Sequence, residues 1–289
     1  GSSRDRRQGS LGRREGTAQV GTKPNSNRVI KIITFIGDDL VRKVVRVAVS
    51  SLHFWTGDAW IAFTISGTFP STARRVSATK MFGKLYLSFD TSDGIWVVDF
   101  AALTVAKVTE APSAKFIAQF GERIIAANLA YSDGGIFPSG VASSANSLPL
   151  DWDGDGSTFN DLVELDLASD EITGLVVLER EAVIIRRQSI VHISRQPFQI
   201  APFRFDTIIS GIGSDLPYTS VRALGGVIFA DSTTSDVYLY TPGSRPISLG
   251  ARHPEGHLHD LLFEDLKNAR YAEATWDPFQ GEYHLGLMW

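Results

Sequence analysis

The stretch DWDGDGSTFND, Asp151 to Asp161, sets carboxylates at Asp151, Asp153 and Asp155 with Gly156 directly after them. That order matches the first half of a calcium loop, in which a hard cation gathers several oxygens and a glycine makes the sharp turn. The second half departs from it. Leu162 stands at the twelfth position, where a bidentate Glu would close the shell, and Phe159 stands at the ninth. Asp161 or Glu164 would have to supply the missing oxygens. The candidate calcium ligands are therefore Asp151, Asp153, Asp155 and Asp161, and the competing reading is a solvated Asp/Gly turn between strands.

HPEGHLHD, His253 to Asp260, carries three imidazoles and a carboxylate, but their spacing follows no zinc signature. It reads as a polar loop leading into a helix. His192 alternates with apolar neighbours and reads as a packed or hydrogen-bonded strand histidine rather than a catalyst. Trp55, Trp60 and Trp96 could line a sugar-binding surface, although aromatic packing is the ordinary use of such strand positions. TSDGIW, Thr91 to Trp96, reads as a hairpin turn. The chain has no G-x-S-x-G elbow, no phosphate-binding G-x-x-x-x-G-K-[ST] loop and no cysteine, so nothing here points to an activated serine, a nucleotide cradle or a thiolate metal site. A carboxylate pair for glycoside hydrolysis needs only to meet in space, and the sequence singles out no pair. No catalytic residue is expected.

The elements that would position these residues are strands. In ITGLVVLEREAVIIRRQSIVHIS, Ile172 to Ser194, the runs Leu175 to Leu178 and Val183 to Ile185 are too short for helices and rich in β-branched residues. Ser189 to Ile193 alternates, with Ile190 and His192 on one face and Val191 and Ile193 on the other. Three strands of this kind cannot bury both faces alone, so they must stack on further copies of the same unit. Such units recur at Met81 to Phe100, Phe116 to Leu129, Ser220 to Thr241 and Tyr271 to Trp289, with an earlier hairpin over Val44 to Ile65. Turn markers at Gly83, Gly121, Arg180, Gly226 and Gly281 are 38, 59, 46 and 55 residues apart, near the spacing of propeller blades. The expected fold is mainly β, an irregular β-propeller of about five to six blades. A pair of sandwiches would use the same strands, and the repeat spacing favours the propeller. One short helix is expected near residues 257–269, where Leu258, Leu261, Leu262 and Leu266 share a face.

Two parts follow from charge. Residues 1–28 form an extended, Gly- and Ser-rich basic arm that includes Arg4, Arg6, Arg7, Arg13 and Arg14, and residues 29–289 form the propeller-like domain. The arm holds seven basic and two acidic residues, which leaves −9 on the body of a chain whose net charge is −4. An acidic body does not invite nucleic-acid phosphates, whereas the arm could meet DNA non-specifically or reach a neighbouring subunit. No apolar run is long enough to span a bilayer. The chain starts on Gly, consistent with a trimmed start, and it stops within an apparent strand, HLGLMW, so either Trp289 closes a blade against the N-terminal strand or further sequence follows.

Ala142 to Ser194 followed by Phe203 to Thr241 resembles the β-propeller proteins of tailed-bacteriophage virions. The residues that carry the likeness are Asp151-Trp152, Ile172 to Leu178, Ser189-Ile190, Gly211, Gly213, Ser220, Gly225-Gly226 and Val237-Tyr238. The likeness extends over roughly Val76 to Trp289. It implies a structural, non-enzymatic component of the tail tube, nozzle or head–tail region. Such a component forms a homo-oligomeric ring with other virion proteins around the DNA conduit and has a part in DNA ejection. An acidic lining would let DNA slide rather than grip it. The alternative from another class is a carbohydrate-binding or glycoside-hydrolysing propeller.

Overall fold

The computed structural model describes residues 22, 24–90, 93–130, 135–152, 163–164, 170–196, 202–250 and 271–288. These residues build an all-β fold of six small sheets that follow one another in chain order. The first sheet holds β1 (Val29–Ile36), β2 (Arg42–Ala48), β3 (Ser51–Trp55) and β4 (Trp60–Ala62). The second holds β5 (Thr64–Ser66), β6 (Val76–Met81), β7 (Lys84–Phe89), β8 (Ile95–Asp99) and β9 (Thr104–Lys107), with β5 lying parallel along the β9 edge. The third holds β10 (Ser113–Phe120), β11 (Arg123–Ala130), β12 (Ile136–Ser143) and β13 (Val163–Glu164). The fourth holds β14 (Ile172–Val177), β15 (Glu181–Arg186), β16 (Ser189–Arg195) and β17 (Phe203–Ser210). The fifth holds β18 (Val221–Ala223), β19 (Gly226–Asp231), β20 (Asp236–Tyr240) and β21 (Ile247–Ser248). The sixth holds β22 (Tyr271–Asp277) and β23 (Glu282–Met288).

Why the strands are apolar on both faces is visible in the fourth sheet. Ala182 and Ile184 of β15, with Val191 and Ile193 of β16, pack against Phe116, Phe120 and Ile125 of the third sheet. Val183, Ile185 and Ile190 pack instead against Val227, Phe229 and Tyr240 of the fifth. The period of two along a strand thus alternates its side chains between the two neighbouring sheets. The other junctions are built alike. Val45, Val47 and Leu52 of the first sheet meet Leu87, Phe89 and Trp96 of the second. Tyr86 and Ile95 meet Ile117 and Ile124 across the next junction, and Ile228 and Ala230 meet Ala272 across the last. Each fully buried Val, Ile or Leu contributes roughly 1.5–3 kcal/mol, so these five junctions are the main apolar stabilisation of the described chain.

The first strands of successive sheets stand side by side and run the same way. Ile117 N donates to Ser77 Oγ and, two residues further along both strands, Gln119 N donates to Thr79 Oγ1. Lys31 Nζ reaches the Val76 carbonyl near the start of β1 and β6, and Lys80 pairs with Asp38 at their far ends. The starts of the later first strands also meet, through Lys115 and Glu171, Tyr218 N and the Thr173 carbonyl, and Ala274 N and the Tyr218 carbonyl. The first strands therefore enter from one end, and the first hairpins lie at the other, the hairpin end.

Six separate sheets, rather than two facing layers, match the stacking expected from the repeat. The strand β1 was missed by reading the first unit from Val44, although Val29–Ile36 is an edge strand of the first sheet and pairs with β2 along its length, with a register shift between Val29 and Lys31. The first strand, β1, begins at Val29. Just before it, Arg46 donates to the Asn27 carbonyl at 2.9 Å and to Asn25 Oδ1 at 3.1 Å, and Asn27 Nδ2 reaches the Val49 carbonyl at 2.9 Å. These bonds fasten the chain entering β1 to the first sheet. The helix expected near 257–269 lies outside the described residues. Among the described residues no helix is long and apolar enough to cross a membrane.

Candidate functional site

At the entry end, one polar side chain at or near the start of each of several first strands points inward, and these chains meet. Glu171, just before β14, accepts from Lys115 of β10 at 2.6 Å, from Asn128 at 3.0 Å and from Arg187 at 2.7 Å. Asn128 can reach it because β11 shifts register between Ala127 and Leu129 and Asn128 itself takes a left-handed conformation, φ 59°, which Asn tolerates better than most residues. Burial pushes the Glu171 carboxyl up, but the bonds from Lys115 and Asn128 and the charges of Lys115 and Arg187 outweigh it and hold the group below the ordinary range. On the other side, Glu273 of β22 lies 2.8 Å from Lys31 of β1 and 3.7 Å from the buried Arg75 guanidinium.

Tyr218 sits between these two groups. Its ring centroid is 4.9 Å from Phe116 and 5.4 Å from the Arg75 guanidinium carbon. Its hydroxyl donates to the Lys115 carbonyl at 3.2 Å, and its own carbonyl accepts from Ala274 N at 3.0 Å. Burial, then the nearby Asp90 charge, pushes its phenol strongly up. A single residue, three positions before β18, thus touches the second, third and sixth sheets and fills the space among their first strands. A phenol kept protonated and carboxylates saturated by cations make a poor acid–base apparatus. This cluster ties sheets together.

A second polar group bridges the fourth and fifth sheets near the hairpin end. His192 Nδ1 lies 3.0 Å from Glu181 Oε2, and its Nε2 shares a short hydrogen bond with the Tyr240 hydroxyl. Burial, with the Glu181 charge second, pushes the Tyr240 phenol up to about 12. The Tyr240 end of this Glu–His–Tyr chain is buried, while the Glu181 end is about one-quarter exposed. His192 is the hydrogen-bonded strand histidine that its alternation implied.

The hairpin end has the opposite character. Leu40, Phe82 and Leu224 occupy the tips of the first hairpins of sheets one, two and five with φ of 60°, 47° and 51°, and all three are exposed. Bulky side chains at left-handed turn positions carry a local cost of about 1–2 kcal/mol that Gly or Asn would avoid. Phe279, at the tip of the sixth sheet, is 98% exposed. It is held there by Asp277, whose Oδ1 accepts from Phe279 N at 2.9 Å and Gln280 N at 3.2 Å.

Beside Phe82 a cleft of about 400 Å³ opens between Phe82, Lys84 and Tyr86 of the second sheet and the loop Leu148 to Asp151. The loop is internally braced. Ala145 N donates to the Asp151 carbonyl at 2.9 Å, and Asp151 N to the Leu148 carbonyl at 3.1 Å. Trp152 Nε1 donates to the Pro149 carbonyl at 3.0 Å. Ser147 N binds the Glu122 carbonyl at 2.8 Å and so fixes the loop to the first hairpin of the third sheet. Leu148 and Leu150 are left about half exposed on the cleft wall.

Of the residues singled out in the sequence, Asp151 takes part in this brace through its backbone and lines the cleft. Asp153, Asp155 and Asp161, the arm residues Arg4, Arg6, Arg7, Arg13 and Arg14, and the histidines of His253 to Asp260 lie outside the described residues. Among the described residues no group of three or more His, Asp and Glu side chains converges as a metal site would. Trp96 is buried against Phe69. Trp55 and Trp60 pair across β3 and β4 with ring centroids 5.3 Å apart. The entry-end cluster escaped sequence reading because its members come from five distant segments. The signal was a charged residue within the first three positions of a first strand or directly before it in five of the six sheets, at Lys31, Arg75, Lys115, Glu171 and Glu273.

The chain matches no protein-family model and no curated protein. Solved structures do resemble it. The extracellular domain of a hybrid two-component system from B. thetaiotaomicron is 12% identical, with a TM-score of 0.57, over 93% of this chain and 32% of that one. A streptogramin B lyase is 8% identical, with a TM-score of 0.54, over 89% of this chain and 76% of that one. Virginiamycin B lyase from Staphylococcus aureus is 8% identical, with a TM-score of 0.53, over 80% and 72%. The chain thus spans about a third of the length of the two-component domain. At such identities the likeness shows a β-propeller-like fold and nothing of activity.

Proposed function

We propose that the chain is a closed six-bladed β-propeller whose role is assembly: a structural component of a phage virion, in the tail tube, nozzle or head–tail region, arranged as a homo-oligomeric ring. The observation that carries an assembly role is the contrast between the two ends. Polar groups at the entry end are spent on one another, whereas the hairpin end presents Leu40, Phe82, Leu224 and Phe279 to solvent, the first three at a cost in backbone strain. Exposed apolar residues gathered on one surface mark an interaction site rather than a reaction centre. The virion assignment adds the likeness of Ala142 to Thr241 to phage propellers. Closure of the ring is supported by the Lys31–Glu273 pair, which joins the first sheet to the sixth.

In this reading DNA passes between subunits and not through one propeller, because Tyr218 and the paired charges fill the space among the first strands. The body's −9 charge keeps passing phosphates from sticking, and Arg4 to Arg14 reach a neighbour or the DNA. Sedimentation of the purified chain, together with electron microscopy of the particle that contains it, tests the proposal. A large homo-oligomer placed in the tail supports it. A monomer that hydrolyses reporter glycosides overturns it.

A further inference from the structure

We infer that the open edge of β23 is filled by the chain's own arm, with residues 16–21 lying along it as a third strand of the sixth sheet. The contact is made within one chain and does not depend on the virion reading. Among the described residues the sixth sheet has two strands, whereas each of the other five has four or five. Ala274 N is spent on the Tyr218 carbonyl, on the side of β22 away from β23. Ala274 and Leu285 are therefore a pair that exchanges no backbone bond. By the same alternation the N–H and C=O groups of Tyr283, Leu285 and Leu287 point away from β22, and among the described residues they have no partner. Such a row is a template for one more strand.

The edge is recessed. Leu239 on β20 and Leu249 just after β21 face the sixth sheet and are only partly buried. On the other side, Ile32 and Ile36 alternate with the Ile33 and Phe35 that pack on the second sheet, and they are 50% and 60% exposed. Among the described residues no apolar cluster joins the sixth sheet to the first. The space beyond β23 is thus a slot between two four-stranded walls, which admits an extended segment and not the edge of a folded neighbour.

The arm starts beside this slot. Arg46 alternates with Val45 and Val47, whose side chains pack on the second sheet, so Arg46 and the Asn25 and Asn27 groups it holds lie on the face turned to the sixth sheet. The chain ahead of Asn25 therefore leaves from one wall of the slot at the entry end, where β23 finishes. Residues 16–22 are the longest run of the arm without charge, and Thr17 and Val20 suit a strand. Six extended residues reach about 20 Å, close to the span of the seven residues of β23. They run parallel to β23, as β5 runs along β9. Charge agrees with this direction. Tyr271 to Met288 hold Glu273, Asp277 and Glu282 with no Lys or Arg, and Arg13 and Arg14, next to Glu15, come to the hairpin end beside Asp277 and Glu282. Arg4, Arg6 and Arg7 stay available to a neighbour or to DNA.

The chain contains no cysteine, so cross-linking reads the contact directly. Thr17→Cys, Gln19→Cys and Val20→Cys are each combined with His284→Cys, at a half-exposed position of β23, and treated with a short bis-maleimide. Ser3→Cys with His284→Cys is the control. At least one arm position should give an intramolecular link well above the control. Amide exchange is followed in parallel. The Tyr283, Leu285 and Leu287 amides should be protected in the wild type. Val20→Pro, which removes a donor and bars the pairing, should speed their exchange at least about tenfold while the amides of β11 and β15 stay slow. Links that form only between chains, on mixing single variants, overturn the contact in favour of strand exchange with a second copy. No link at any arm position, or protection that survives Val20→Pro, shows that another segment covers β23 and overturns the inference. Fast exchange in the wild type shows an open edge and overturns it too. A monomer that hydrolyses glycosides and still forms the intramolecular link overturns the virion reading alone.

Discussion

Glu273 lies within 2.8 Å of Lys31 and 3.7 Å of Arg75, so one carboxylate on the sixth sheet holds cations from the first strand of the fold and from the entrance to the second sheet. The two partners are not equivalent. Lys31 is about one-third exposed, whereas the Arg75 side chain is 5% exposed.

Lys31→Met should therefore cost only about 0.5–1 kcal/mol, as for a solvent-facing pair. Glu273→Ala should cost more, about 1–2 kcal/mol, because it removes the carboxylate that faces both Lys31 and the buried Arg75 side chain. Urea denaturation of the two variants reads the difference, and equal losses would show that Arg75 draws nothing from Glu273.

Glu171 sets an acid limit. Its folded carboxyl titrates below the ordinary range, so it stabilises the fold fully above about pH 4.3, the usual Glu value. That contribution is lost as pH falls through the depressed folded value. Glu171→Gln should be less stable than wild type at neutral pH by about 1–3 kcal/mol, and the gap should close under acid. Melting temperatures of both proteins across this range check the sign.

Leu224 offers the reverse effect. At φ 51° on an exposed tip, Leu224→Asn should raise stability by roughly 0.5–1 kcal/mol by relieving left-handed strain, while weakening self-association by removing an apolar contact. The neighbouring Gly226 must stay, since a Cβ there would stand 2.1 Å from the Tyr240 carbonyl oxygen. A Leu224→Asn protein less stable than wild type would mean that Leu224 is used within its own subunit.

Tyr240→Phe tests the bridge between the fourth and fifth sheets. It removes the hydroxyl shared with His192 Nε2 but keeps the ring, and it should cost about 1–2 kcal/mol. Chemical denaturation gives the loss, and an unchanged midpoint would mean that His192 finds another partner.

The strand content and the stacking of small sheets were determined by the sequence, because a short apolar run with a period of two must be covered on both faces wherever it lies. The strand character of β14 to β16 and the division of Ile190 and Val191 between opposite neighbours followed from that local rule. β1 was passed over because the first repeat was read from Val44. Only the tertiary structure decided which charges meet. Lys31 and Glu273 are 242 residues apart, and no local rule brings them together. The same holds for the hairpin end. An exposed Leu224 or Phe279 looks like one more apolar residue in the chain, and it becomes part of a surface only because the parallel order of first strands turns every first hairpin the same way.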